Sequence, residues 1–218
     1  MGVIDSAERL AGLTYVVVDV ETTGTSHGRD DRITEFAAVV VRDGRVQREF
    51  ATLINPERTI PRYITQLTGI SWTMVKDAPR FRDVCDDVRD LLAEPHVFVA
   101  HNAPFDWGFV NMEMARAGAP ALANDRLCTV RLARRLLSHL PRRSLDHVTS
   151  HYGIMVERRH RALGDAVATA HVLGRLLDDA YARGCDTWAD LDLLLHPGVA
   201  RRKRRTALPH PATDDRTA

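Results

Sequence analysis

Short apolar runs alternate with segments of helical periodicity along most of the chain. TYVVVDV (14–20) is a continuous β-branched run, which predicts a strand buried on both faces. Asp43-Gly44 lies between two further apolar runs and is typical of a tight β-hairpin. Strands are therefore predicted at 14–20, 32–41, 46–54, 96–101 and 126–130.

Apolar residues at helical spacing separate these strands. From Phe81 they recur at i, i+3, i+4 and i+7, which predicts an amphipathic helix. Pro104 lies where the first helical position is expected, in a helix that runs to about Ala117. Thr187 and Asp190 have the spacing of a capping box, which predicts the start of one further short helix through Leu195. Other helices are predicted at 64–67, 72–75, 132–138, 145–152 and 162–180, so the order of elements favours an α/β layered domain.

The composition fits one compact domain. The chain has 218 residues, of which 44% are hydrophobic and 27% charged. Its three cysteines include no Cys-x-x-Cys pair, which indicates reduced, packed thiols and argues against a disulfide framework or a thiolate zinc site. No apolar run reaches the roughly 18 residues of a membrane span, and the N-terminus lacks the layout of a secretory signal. We therefore expect a cytoplasmic protein without a membrane partner.

The formal net charge of +1 is unevenly distributed. Residues 201–218 contain six basic and two acidic residues, a net of +4, so residues 1–200 carry −3. The predicted divisions are an N-terminal extension (1–12), one domain (13–196) and a basic, disordered tail (197–218). The run Arg201–Arg205 could contact nucleic-acid phosphates or act as a localisation signal, but a solvated tail is the favoured interpretation.

Five polar residues stand at the ends of predicted elements. Asp19 and Glu21 are two residues apart on the buried strand, so both carboxylates lie on one face, where they are costly without a neutralising cation. Taken alone, this pair could simply be solvated where the strand enters a loop. HNAPFD places Asp106 in the first turn of a helix, and HRALGDA supplies His160 in a loop and Asp165 at the start of the last long helix.

Together these residue types indicate metal-dependent phosphodiester hydrolysis. Magnesium and manganese take oxygen ligands and commonly act on phosphates. Two such ions can activate a water on one side of a phosphodiester and stabilise the leaving oxygen on the other. His160 is a neutral-range base suited to accept the proton of that water.

Three segments resemble the motifs of the DnaQ-like, or DEDDh, 3′-5′ exonucleases, including the proofreading (epsilon) exonuclease domain of DNA polymerase III. They are VVDVETTG (17–24), HNAPFD (101–106) and HRALGDA (160–166), and the similarity extends over about residues 13–180, including LTGIS (67–71). The resemblance implies an RNase H-like fold, with a mixed five-stranded sheet flanked by helices. It also implies two Mg²⁺ or Mn²⁺ ions and release of nucleoside monophosphates from a 3′ end.

The resemblance also implies roles for individual residues. Asp19, Glu21 and Asp165 would hold the ion on the water side, and Asp19 would bridge to a second ion near Asp106. His160 would be the general base. Residues that would place the terminal nucleotide are Thr22, Thr23, Asn102 and Phe105.

The expected activity is therefore a two-metal 3′-5′ exonuclease acting on single-stranded DNA, of a proofreading or repair type. ETTG (21–24) resembles the DNA-directed members of the family more than the oligoribonucleases. An exoribonuclease using the same site is the first alternative, and a non-catalytic nucleic-acid-binding or polymerase-associated subunit is the second. Association with a DNA polymerase rests on family analogy alone.

Overall fold

A five-stranded mixed sheet forms the centre of the protein. The structure, a computed structural model, describes residues 4–93 and 96–197, and the predicted tail run Arg201–Arg205 lies outside these residues. The strands are β1 (Tyr15–Thr22), β2 (Ile33–Arg42), β3 (Arg45–Leu53), β4 (Val97–Ala100) and β5 (Arg126–Cys128). Their order is β3-β2-β1-β4-β5, with β2 antiparallel to both neighbours and β1, β4 and β5 mutually parallel. The predicted α/β class and the RNase H-like arrangement are confirmed.

Eight α-helices accompany the sheet in the described residues. They are α1 (Arg62–Thr68), α2 (Trp72–Val75), α3 (Phe81–Leu91), α4 (Ala103–Arg116), α5 (Thr129–Leu136), α6 (Leu145–Tyr152), α7 (Ala162–Tyr181) and α8 (Trp188–Leu195), counted within the described residues. Among these, no helix is long and apolar enough to cross a membrane. The Thr187–Asp190 capping box is present at the start of α8, as predicted.

Two hydrophobic cores lie on opposite faces of the sheet. On one face, α3 and α4 pack against Val16, Val18 and Val20. On the other face, α5, α6, α7 and α8 pack against Tyr15 and Val17. Because successive strand residues point to opposite faces, the next two odd-numbered positions of β1 point toward the α7 face. Residues 19 and 21 are therefore directed toward that helix.

The hairpin prediction is confirmed in detail. Asp43 and Gly44 both have positive φ, 52° and 68°, as the two-residue turn joining right-twisted strands requires. The fifth strand differs from its prediction because it ends at Cys128, and α5 begins at Thr129. Thr129 and Val130 are β-branched, which favoured strand, but the Thr129 hydroxyl is used to hydrogen-bond His101 at 2.9 Å.

The predicted limits of the domain remain predictions. Residues 4–12, expected as an extension, include a short 3₁₀ turn at Leu10–Gly12. Leu10 is buried in the core, and its backbone N–H donates to the Asp186 carbonyl at 2.8 Å. The three cysteines are all buried and unbonded to one another, as predicted.

Candidate active site

The central strand β1 carries the first two candidate acids. It continues two residues beyond its predicted end, so Asp19 and Glu21 lie within the strand and Thr22 is its last residue. Both side chains are partly exposed, whereas the preceding residues of the strand are buried. The alternation of β1 directs both toward α7, as the sequence spacing predicts.

Asp165, in the first turn of α7, completes a group of three carboxylates. The ligand oxygens of Asp19, Glu21 and Asp165 all lie within 4.8 Å of one another. Asp165 is buried, and α7 packs against both β1 and β2. We call these three residues the acidic trio.

Asp106 lies beside the trio rather than in it. It is 3% exposed, in the first turn of α4, and its Oδ1 accepts a hydrogen bond from the Val20 backbone N–H at 3.2 Å. That bond fixes the carboxylate against the backbone between the two strand acids. The predicted role of Asp106 near a second ion remains a prediction.

Burial and mutual repulsion raise the proton affinity of these acids. Burial, followed by the charges of Asp106 and Asp165, raises the pKa of Asp19 well above its usual range. Burial and the charge of Asp165 raise the pKa of Glu21 to about 7. Burial raises the pKa of Asp106 to about 8, against the opposing effect of backbone hydrogen bonds. Ionisation of these three carboxyl groups is therefore unfavourable in the absence of a nearby positive charge. A bound cation would supply that charge and favour the ionised forms.

The acidic trio fits a hard divalent cation. Its donors are all carboxylate oxygens, the ligands that Mg²⁺ and Mn²⁺ prefer. Oδ1 of Asp165 is buried and has no hydrogen-bond partner among the described residues. A buried acceptor without a partner is costly, and a metal ligand bond would satisfy it.

His160 stands next to the trio on a short loop. Its backbone N–H donates to Oδ2 of Asp165 at 3.3 Å, and its side chain is partly exposed. Its φ is +58°, in the left-handed region that residues other than glycine adopt infrequently. The structure thus brings His160 and the trio together, as the sequence predicts, while the role of His160 as a base remains a proposal.

Three charged residues beside the trio were missed by the sequence analysis. Arg159 contacts Asp165 and also donates to Asp146 on α6, Nε to Oδ1, at 2.5 Å. Arg161 donates to both oxygens of Glu35, at 3.0 and 2.6 Å. Glu35 pairs directly opposite Glu21 in the β1–β2 ladder. The sequence could have indicated Glu35, because it is the one acidic residue in the apolar strand ITEFAAVVV.

The predicted nucleotide-placing residues lie at the same edge of the sheet. The hydroxyls of Thr22 and Thr23 are buried, where they bond Gly24 and Asp31 and close the loop after β1. Asn102 is exposed, with φ +83°, just before α4. The ring of Phe105 is half-buried against Phe109, with centroids 4.8 Å apart. Substrate contact by any of these four residues remains a prediction.

Comparison with known proteins finds nucleases. The RNase T family model, described as exonuclease, matches residues 16–173. A Mycobacterium tuberculosis protein, whose name combines an exonuclease and an endonuclease, is 41% identical over 198 residues, which cover 88% of this chain and 30% of that protein. The PolC-type DNA polymerase III of Clostridium perfringens is 40% identical over 171 residues, which cover 78% of this chain and 12% of the polymerase.

Solved structures agree with this result. Exonuclease X, solved in complex with 5′ overhanging duplex DNA, superposes with a TM-score of 0.65 at 27% identity, covering 83% of this chain and 99% of that one. Unlike Exonuclease X, the two relatives above are much longer than this chain, which spans less than a third of either.

Proposed function

This chain belongs to the DnaQ-like 3′-5′ exonuclease family, and we propose that it is a metal-dependent enzyme that removes nucleoside monophosphates from the 3′ ends of single-stranded DNA. The observation that carries the proposal is the acidic trio, in which three carboxylates converge to within 4.8 Å beside His160. Such a group fits a phosphate-directed metal centre better than a surface acidic patch, because Asp165 is buried, Asp19 and Glu21 are only partly exposed, and the acids repel one another.

The proposed metal ligands divide between two positions. Asp19, Glu21 and Asp165 would hold one Mg²⁺ or Mn²⁺, and Asp19 and Asp106 would serve a second. When bound, such a pair activates a water and stabilises the charge that develops on the leaving oxygen. Two of the proposed ligands are held in place by backbone hydrogen bonds. The Val20 N–H donates to Asp106, and the His160 N–H donates to Asp165.

His160 would accept the proton of the attacking water. The water oxygen forms a bond to phosphorus, and the bond between phosphorus and the 3′ oxygen of the preceding nucleotide breaks. The terminal nucleotide then leaves as a 5′-monophosphate, and the new 3′ oxygen takes a proton from solvent. Replacing His160 with Gln should lower kcat by about 10²- to 10⁴-fold, the usual contribution of a general base.

We favour DNA as the substrate because two of the similar proteins are described by their names or structures as acting with DNA. Exonuclease X is solved with duplex DNA carrying a 5′ overhang, and PolC is a DNA polymerase. We also propose a proofreading or repair task and association with a polymerase, and the likeness to PolC-type DNA polymerase III supports this part of the proposal. Whether RNA is also cut depends on how the site accommodates a 2′-hydroxyl.

A time course with end-labelled oligonucleotides tests the proposal. Single-stranded DNA and RNA of matched sequence are incubated with the purified protein and Mg²⁺, Mn²⁺ or EDTA, and the products are identified. We expect mononucleotides from the 3′ end of DNA with either metal and none with EDTA. Faster cleavage of RNA would favour the exoribonuclease, and binding without cleavage under every condition would favour a non-catalytic subunit.

A further inference from the structure

The loop that carries His160 has a strained backbone. Two residues of this loop (157–161, here the His160 loop) have positive φ, Arg158 at 54° and His160 at 58°. For side chains of this size such conformations cost free energy and persist only where the surroundings fix them. The contacts of the neighbouring residues show what holds the loop.

On the C-terminal side of His160, Arg161 ties the loop to the sheet. Its guanidinium makes a two-pronged bond to Glu35 of β2, at 3.0 and 2.6 Å. Glu35 is only 4% exposed, and its Oε2 also accepts the backbone N–H of Ala162, the first residue of α7, at 2.9 Å. One buried carboxylate thus fixes both the end of the loop and the start of the helix that bears Asp165.

The other end of the loop rests against the backbone of α7. A Cβ added to Gly164 would lie 2.2 Å from the carbonyl oxygen of Glu157 and 2.7 Å from that of Arg158. These are backbone atoms, so a side chain at residue 164 would force the loop away from the helix. Gly164 therefore permits a close approach that no other residue type allows.

We propose that Arg161, Glu35 and Gly164 are positioning residues for His160: together they hold the His160 loop in its strained conformation and so place the imidazole at the acidic trio. This inference rests on the proposed function. None of the three residues belongs to the proposed metal ligands, so their loss should displace His160 while every proposed ligand side chain remains, although Asp165 would lose the hydrogen bond that the His160 N–H donates to it. A misplacement of about 1 Å at a reacting group can lower the rate about 10²-fold.

Two glycines of the same helix provide a matched test. Gly174, also in α7, has no atom within 4 Å of an added Cβ, so Gly174→Ala should leave kcat and KM unchanged. Gly164→Ala should lower kcat about 10- to 100-fold with KM for a short DNA oligonucleotide within about twofold of wild type. Both variants should still show a rise in Tm on adding Mn²⁺, because all the proposed ligand side chains are present.

Arg161 gives a second test that does not depend on Gly164→Ala folding. Arg161→Gln should lower kcat in the same way, and Arg161→Lys should recover part of the loss, since lysine keeps the charge but not the two-pronged geometry. Arg158→Gln is the control, because the Arg158 side chain is exposed and makes no ion pair or hydrogen bond within the described part of the chain.

Combination with His160→Gln separates positioning from a general structural role. If Arg161 and Gly164 act through His160, each double variant should be no slower than His160→Gln alone, because there is no base left to misplace. Multiplying losses, or a Gly164→Ala variant as active as Gly174→Ala while His160→Gln is impaired, would overturn this inference and leave the proposed function intact. Near-normal turnover of His160→Gln would overturn both.

Discussion

Glu21→Gln should stabilise the metal-free protein in neutral and alkaline solution but not in acid. In the folded chain Glu21 faces Asp165 and, across the ladder, Glu35, and its pKa is raised from 4.5 to about 7 by burial and these charges. The folded state therefore holds a proton that the unfolded chain releases. Glutamine imitates the protonated form and removes the cost of ionisation.

The size of the effect follows from the two pKa values. A tenfold change in proton affinity corresponds to about 1.4 kcal/mol, so ionised Glu21 destabilises the fold by about 3 kcal/mol. The pKa of Glu21 is higher in the folded state than in the unfolded state. Wild type therefore keeps its full free energy of unfolding below about pH 4.5 and loses this amount as the pH rises through about 7. In a domain of this size the variant should gain roughly 5–10 °C in Tm at pH 8, and little at pH 4.5.

Thermal unfolding in EDTA at pH 4.5 and pH 8 measures the difference. Glu49→Gln is the matched control, because Glu49 is an exposed strand glutamate on β3 that forms no ion pair within the described residues. Added Mg²⁺ should close the gap at pH 8 by stabilising wild type more than Glu21→Gln. An equal gain at both pH values, or no gain over the Glu49 control, would show that repulsion within the trio is not the cause.

Three further predictions concern ligands, tail and core. Asp19→Ala or Asp165→Ala should abolish hydrolysis with an unchanged circular dichroism spectrum, and more than about a tenth of wild-type activity at saturating Mg²⁺ would contradict their role as ligands. Deleting 198–218 should leave cleavage of short oligonucleotides unchanged and weaken binding of longer strands at low salt, measured by fluorescence anisotropy. Arg32→Ala should cost about 1.5–3 kcal/mol in urea unfolding, because the carboxylate of Glu113, 2% exposed, loses its two-pronged partner and keeps only Arg116, at 3.2 Å; a loss below about 0.5 kcal/mol would count against this.

Periodicity was sufficient to predict most of the fold. The apolar patterns of β1, β2, β4 and α3 match the layers that these elements occupy, so local sequence and tertiary packing agree there. The predicted end of the fifth strand at residue 130 was wrong. Thr129 and Val130 are both β-branched, so the local sequence gives no signal that the strand ends at Cys128. The convergence of Asp19 and Asp165 was predictable from acids at element ends, but the tie from Arg161 to Glu35 was not, since the partners are 126 residues apart and only the sheet register brings them together.

The chain order of the trio has a consequence for protein synthesis. Asp19 and Glu21 lie on the first strand, whereas His160 and Asp165 belong to the loop and first turn of α7, which is made after all five strands and after α1 to α6. A nascent chain that has emerged only as far as α6 holds three of the four acids but neither the last acid nor the histidine. We therefore expect nuclease activity to arise only when α7 docks on the sheet, so that a nascent chain should be inactive until α7 has emerged.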